Sequence, residues 1–163
     1  MTALTDIGAR LLRNRWLVRA PIWLFRIRAG ALLGRRVMML EHIGRTSGAR
    51  RYVVLEIVDR PSPENIVIAS GFGAKAQWFR NILADPHVRV WLGSHRPAPA
   101  IAHVLDQHRV NQVLAAYRAR HPKTWDQFKL VLEGTLGRPI TDTGAPLPMV
   151  ELRLQPRPGP ANR

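Results

Sequence analysis

Two apolar, strand-like runs, Val37-Met-Met-Leu-Glu-His-Ile43 and Tyr52-Val-Val-Leu-Glu-Ile-Val58, are joined by the turn Gly44-Arg-Thr-Ser-Gly-Ala-Arg-Arg51. This arrangement constrains the fold more than any other stretch. Runs this short, rich in β-branched residues and separated by so tight a connection, must pair antiparallel to satisfy their backbones. Gly44 and Gly48 supply the backbone freedom that such a reversal requires. The same turn carries Arg45, Arg50 and Arg51 with the hydroxyls of Thr46 and Ser47. Successive backbone N–H groups in a turn form a concave nest for an anion, and arginine forks match phosphate or carboxylate oxygens. A solvated basic hairpin turn is the competing reading.

The remaining chain repeats the pattern of short strands and sharp turns. Strands are expected at 37–43, 51–59, 65–70, 87–93, 98–105 and 149–154, with Val53, Leu55 and Ile57 sharing one face of the second. Arg60-Pro-Ser-Pro-Glu-Asn65 is reversal chemistry, and Ser70-Gly-Phe-Gly-Ala-Lys75 is a second glycine-bearing loop. A helix is expected from Ala76 to about Ala84, stopped by Asp85-Pro86 because the residue before proline resists helical geometry. Another runs over 106–120, with Asp106 as its cap and Val110, Val113, Leu114 and Tyr117 on its buried side. His121-Pro122 breaks it, and a further helix spans Thr124 to Leu136. Strands that come first, with helices inserted late, indicate an α+β barrel rather than a doubly wound sheet. The expected division is an amphipathic helical segment at 1–36, a barrel domain at 37–154 and a tail at 155–163.

Residues 1–19 read as an amphipathic helix, with Leu4, Ile7, Leu11 and Leu12 near helical spacing. Trp16 and Trp23 with interspersed arginines suit a helix lying in a membrane interface, and equally one packed on the barrel. Arginines interrupt every apolar run, so neither a transmembrane span nor a secretory signal is expected, and the location expected is cytoplasmic, with peripheral contact to an anionic membrane as an option.

Charge and composition narrow the chemistry. The 163 residues carry a net charge of +14, almost all from arginine, since lysine occurs only at Lys75, Lys123 and Lys129. Such a field attracts nucleic acid, an anionic membrane or an acidic ligand, and charge alone does not choose. No contiguous basic block of the kind found in nucleic-acid tails is present. Without cysteine, disulfides and thiolate metal sites are excluded, and the six histidines show no metal-ligand spacing. Carboxylates number only eleven, and no nucleophile–base elbow accompanies Ser47 or Ser70. That scarcity disfavours hydrolytic chemistry and suits an enzyme whose cofactor supplies the reaction.

The basic turn with its flanking strands, and Ala76-Gln-Trp-Phe-Arg-Asn-Ile-Leu-Ala-Asp-Pro86 downstream, resemble the deazaflavin-dependent nitroreductase family over roughly positions 20 to 154. The resemblance implies a split β-barrel, coenzyme F420, and hydride transfer to a flat electrophile such as a quinone, enone or nitro compound. It implies that Arg45, Ser47 and Arg51 hold the coenzyme's phosphate and acidic tail. Thr46 stands where the family usually has lysine, and Arg50 restores that charge from a different direction. By the same resemblance Val53 lies near the ring, and Ala69, Ser70, Ala76, Gln77, Trp78 and Asn81 line it. Arg80 either reaches the phosphate or is a helix-surface charge. Tyr117, Trp125 and Phe128 would wall a substrate pocket, although their spacing is equally that of core residues. No catalytic side chain and no metal are implied. The alternatives are an FMN-binding protein of the same barrel architecture and a non-enzymatic basic module for membrane or nucleic acid.

Overall fold

The computed structural model describes residues 26, 30, 34–137, 139 and 147–156, without the side chains of 127, 128, 131, 132, 135 and 136. The N-terminal amphipathic segment, the C-terminal tail and the Phe128 side chain therefore lie outside the described residues. Among the described residues six strands form the architecture: β1 (Val37–Ile43), β2 (Arg50–Asp59), β3 (Asn65–Ala69), β4 (His87–Leu92), β5 (Ala98–Val104) and β6 (Met149–Leu154). They close into a barrel in the order β1-β2-β3-β6-β5-β4, every pairing antiparallel. Closure removes free strand edges, which a sheet of such short strands would otherwise expose. Among the described residues three α-helices of eight residues or more accompany the barrel: α1 (Gln77–Ala84), α2 (Gln107–Arg120) and α3 (Pro122–Leu136).

Alternation along the strands builds the interior. Met38 and Leu40 of β1, Ile57 of β2, Ile66 and Ile68 of β3, Val88 and Val90 of β4, Ala100 and Ala102 of β5, and Val150 and Leu152 of β6 form one core. Each large side chain removed from water there contributes about 1.5–3 kcal/mol. Ala76, Trp78, Phe79 and Ile82 enter the same cluster, so α1 plugs the barrel end where β1 finishes and β2 begins. A second cluster lies on the outside: Val58, Val67 and Met149 from the strands meet Val110, Val113, Leu114, Tyr117, Trp125 and Leu147. This two-sided cover explains why β2 alternates imperfectly. Ile57 faces inward and Val58 outward, both are buried, and a register shift between Ile57 and Asp59 adds a local irregularity.

Helix boundaries follow the expected chemistry. The Asp106 carboxylate accepts a hydrogen bond from the Arg109 amide and caps α2. His121 ends α2 and Pro122 opens α3 at a first-turn position, where its missing N–H costs nothing. Gly137 closes α3 in the left-handed conformation at φ 65°. No described helix is long and apolar enough to cross a membrane.

Candidate functional site

At the plugged end of the barrel, the β1–β2 turn, the start of β2 and the loop leading into α1 enclose a cleft of about 870 Å³. That is the size of a cofactor site rather than a packing defect. The turn itself is built by backbone bonds. The Gly44 amide donates to the Ala49 carbonyl at 2.8 Å, and the Gly48 amide donates to the Gly44 carbonyl at 2.7 Å. Gly48 sits at φ 64°, which favours glycine, and a Cβ at Gly44 would come within 2.7 Å of Ser47 Oγ and displace that hydroxyl. The amides of Thr46 and Ser47 have no acceptor among the described residues, and both residues line the cleft.

Asn81 anchors this turn to α1. Its Oδ1 accepts from the Arg45 amide at 3.2 Å and from Arg45 Nη1 at 2.9 Å, while Nδ2 lies 3.1 Å from His42 Nδ1. Arg45 Nη1 also donates to Gln77 Oε1 at 2.9 Å. The Arg45 guanidinium is therefore folded back onto the helix and braces the site. Arg50 points elsewhere too, its Nε lying 3.6 Å from the Glu41 carboxylate. Arg51 and Lys75 differ from both: they line the cleft and have no hydrogen bond or ion pair among the described residues. No carboxylate lines the cleft among those residues either. Its opposite character comes from Val53, Phe72, Ala76 and Trp78, an apolar wall in which Trp78 stacks edge-on against Phe79 at 5.8 Å.

Burial changes the histidine at the base of this wall. His42 is only 4 % exposed and sits opposite Arg51 in the strand register. Desolvation, assisted by the Arg51 charge, lowers its pKa from 6.5 to about 4, so the imidazole is neutral at physiological pH.

Of the residues singled out from the sequence, Thr46, Ser47, Arg51, Val53, Ala76, Gln77 and Trp78 come together around the cleft. Arg45 and Asn81 form its bracing, and Arg80 is exposed on α1 without lining it. Ser70 is fully buried, its hydroxyl donating to the Gly73 carbonyl at 2.7 Å, which shapes the loop. Ala69 lines a smaller cavity of about 150 Å³ with Glu56, Val58, Gly71 and Tyr117. Tyr117 and Trp125 belong to the outer cluster, ring centroids 6.5 Å apart, and are not among the residues lining the cleft. Sequence reasoning missed His42, Gly44, Tyr52, Phe72 and Lys75, all of which line the cleft. Two of them carried a signal: His42 shares the inward parity of Met38 and Leu40, and Phe72 is an apolar residue set between two loop glycines.

The residues present suit a ligand with a flat apolar part and an anionic part. Across the cleft an apolar wall faces two unneutralised cations, two hydroxyls and two free amides. Among the described residues no group of three or more histidines or acids could hold a metal ion.

A family model described as F420H(2)-dependent quinone reductase matches residues 18–138. A comparison with curated proteins returned no match. Among solved structures, an F420-H2 dependent reductase, FDR-A, aligns with a TM-score of 0.51 at 20% identity, covering 73% of this chain and 95% of that one. A pyridoxamine 5'-phosphate oxidase-related, FMN binding protein from Nostoc punctiforme aligns with a TM-score of 0.52 at 14% identity, covering 83% of this chain and 79% of that one. At such identities the two structures speak for the fold alone, a split β-barrel with appended helices. The family match spans most of the chain, including the basic turn and α1. The chain belongs to the F420H(2)-dependent quinone reductase family and is a reductase that uses coenzyme F420.

Proposed function

We propose that the cleft binds reduced coenzyme F420 with its ring along Val53, Ala76 and Trp78 and its phosphate and acidic tail toward Arg51 and Lys75, and presents it to a flat electrophile such as a quinone, an enone or a nitro compound. When bound, the coenzyme supplies a hydride from a ring carbon. The chain's own contribution is binding, orientation and exclusion of water. Arg51 offers a planar fork to oxygen anions, and Lys75 adds a mobile point charge on the facing loop. Thr46 and Ser47 add hydroxyl and amide donors at the turn. Arg45, Gln77 and Asn81 keep that turn against α1, so the anion end and the apolar wall stay at a fixed separation. Phe72, 62% exposed at the cleft, and Tyr52 flank the space left for a flat substrate. Tyr117 and Trp125 are assigned instead to the outer cluster that supports the barrel wall.

One observation carries the reading: two cations without a partner line the same cleft as an apolar aromatic wall, and no described carboxylate neutralises them. FMN also has a flat ring and a phosphate, but it lacks an acidic tail to engage a second cation. Titration of the purified protein at low salt with reduced coenzyme F420 and with FMN tests the assignment. Tighter binding of the deazaflavin is expected; binding of FMN alone, or of neither, overturns it. Comparison of kcat/KM for a quinone, an enone and a nitroarene then ranks the electrophiles.

A further inference from the structure

His42 is the buried histidine of the chain, and its surroundings fix its proton. Two donors from Arg45, the backbone amide and Nη1, both point at one end of the Asn81 amide. That end must be the oxygen, because an NH2 group there would face two donors. The other end, Nδ2, then donates to His42 Nδ1 at 3.1 Å. An imidazole nitrogen that accepts carries no hydrogen, so the proton resides on Nε2. Adding a second proton at Nδ1 would set N–H against N–H. Nε2 has no partner among the described residues, yet it is not sealed from the surface, and His42 lines the cleft. Opposite it in register stands Arg51, also on the cleft and also without a partner among those residues. A neutral donor of fixed orientation thus sits beside a charged one, both turned to the same space.

We propose that His42 is a positioning residue that donates its Nε2–H to the anionic group bound by Arg51, the phosphate of the deazaflavin coenzyme, with Asn81 and Arg45 aiming the hydrogen. This rests on the coenzyme F420 reading above. It assigns the chain Arg45–Asn81–His42 a role that a simple brace would not need: Arg45 fixes the amide, the amide fixes the tautomer, and the tautomer supplies the donor. A neutral donor also avoids placing a second positive charge beside Arg51 in a desolvated site.

The test compares dissociation constants for reduced coenzyme F420 and for the corresponding deazaflavin lacking phosphate and tail, in the wild type, His42→Leu and His42→Gln. His42→Leu is expected to weaken coenzyme binding about tenfold and to leave the phosphate-free deazaflavin unchanged. His42→Gln, whose amide can accept from Asn81 and still donate, is expected to restore most of the loss, which also controls for folding. Independently, long-range 1H–15N spectra of the free protein should show the neutral Nε2–H tautomer. Its Nε2 proton should move downfield on addition of the coenzyme and not of the phosphate-free compound. Equal losses for both ligands in His42→Leu, no loss for either, or an Nδ1–H tautomer would overturn the proposal. Failure of the wild type to bind the coenzyme at all would overturn the coenzyme reading itself.

Discussion

The cleft at the barrel end and the belt under α2 and α3 use the same kinds of residue to opposite ends. Each holds aromatics and an arginine. In the belt, Tyr117 and Trp125 pack edge to ring, and Arg36 is committed to Glu56 at 3.2 Å and to the Tyr117 hydroxyl at 3.4 Å. The space left over is about 150 Å³. In the cleft, Phe72 is largely exposed, Arg51 and Lys75 have no partner among the described residues, and the space is about 870 Å³. What separates the open cleft from the packed wall is therefore which groups remain unsatisfied, and residue type does not reveal it. Unpaired cations next to an unpartnered aromatic mark a surface that a ligand must complete.

Four measurements would break or sharpen this contrast. The largest effect is expected for Trp125→Ala, which opens a void in the outer cluster and should cost about 3–5 kcal/mol of stability in denaturant unfolding. Coenzyme affinity of the folded fraction should stay near wild type; a matching loss of affinity would join the two regions. Arg51→Ala inverts the pattern, with coenzyme affinity falling about ten- to a hundredfold and the unfolding midpoint nearly unchanged. Acid titration comes next. His42 has a pKa of about 4 in the folded chain against an ordinary 6.5, so between these values the unfolded chain binds the additional proton. The contribution of His42 is constant above pH 6.5, and stability falls as pH drops toward 4, by an amount on the order of 3 kcal/mol. His42→Gln should flatten that slope, and an unchanged slope would place the titrating group elsewhere. Lys75→Ala should have the smallest effect, a severalfold loss of coenzyme affinity that shrinks further with added salt, because its charge is exposed and screened.

Much of the architecture was legible from local chemistry. The strand at 37–43 matches β1 residue for residue, and the others fall within one residue of the expected ends, because alternation and turn residues act over short distances. The Asp106 cap and the inward stripe Val110, Val113, Leu114 and Tyr117 were equally readable. Strand order was not. β6 inserts between β3 and β5, a pairing across more than forty residues of sequence that no local pattern encodes. The site was legible in part for the same reason. The basic turn announces itself, but which arginine remains available depends on long-range partners: Gln77 and Asn81 occupy Arg45, and Glu41 approaches Arg50. Arg51 and Arg50 are neighbours in sequence and point to opposite faces of β2, so their different fates follow from strand parity once the inward face is known. Lys75 and Phe72 come from a loop whose meeting with the turn is a property of the closed barrel.

Barrel closure has a consequence for the order in which the protein can assemble. The elements that bear the cleft, β1 and β2 with the loop into α1, are all made by residue 84, and β1 pairs directly with β2. β3 and β5 each wait for β6, the last of the described strands to leave the ribosome. Until Met149–Leu154 arrives, both present a bare edge able to recruit another nascent chain. The half that bears the cleft is thus laid down first, and the seam that closes the barrel is sewn by Met149–Leu154.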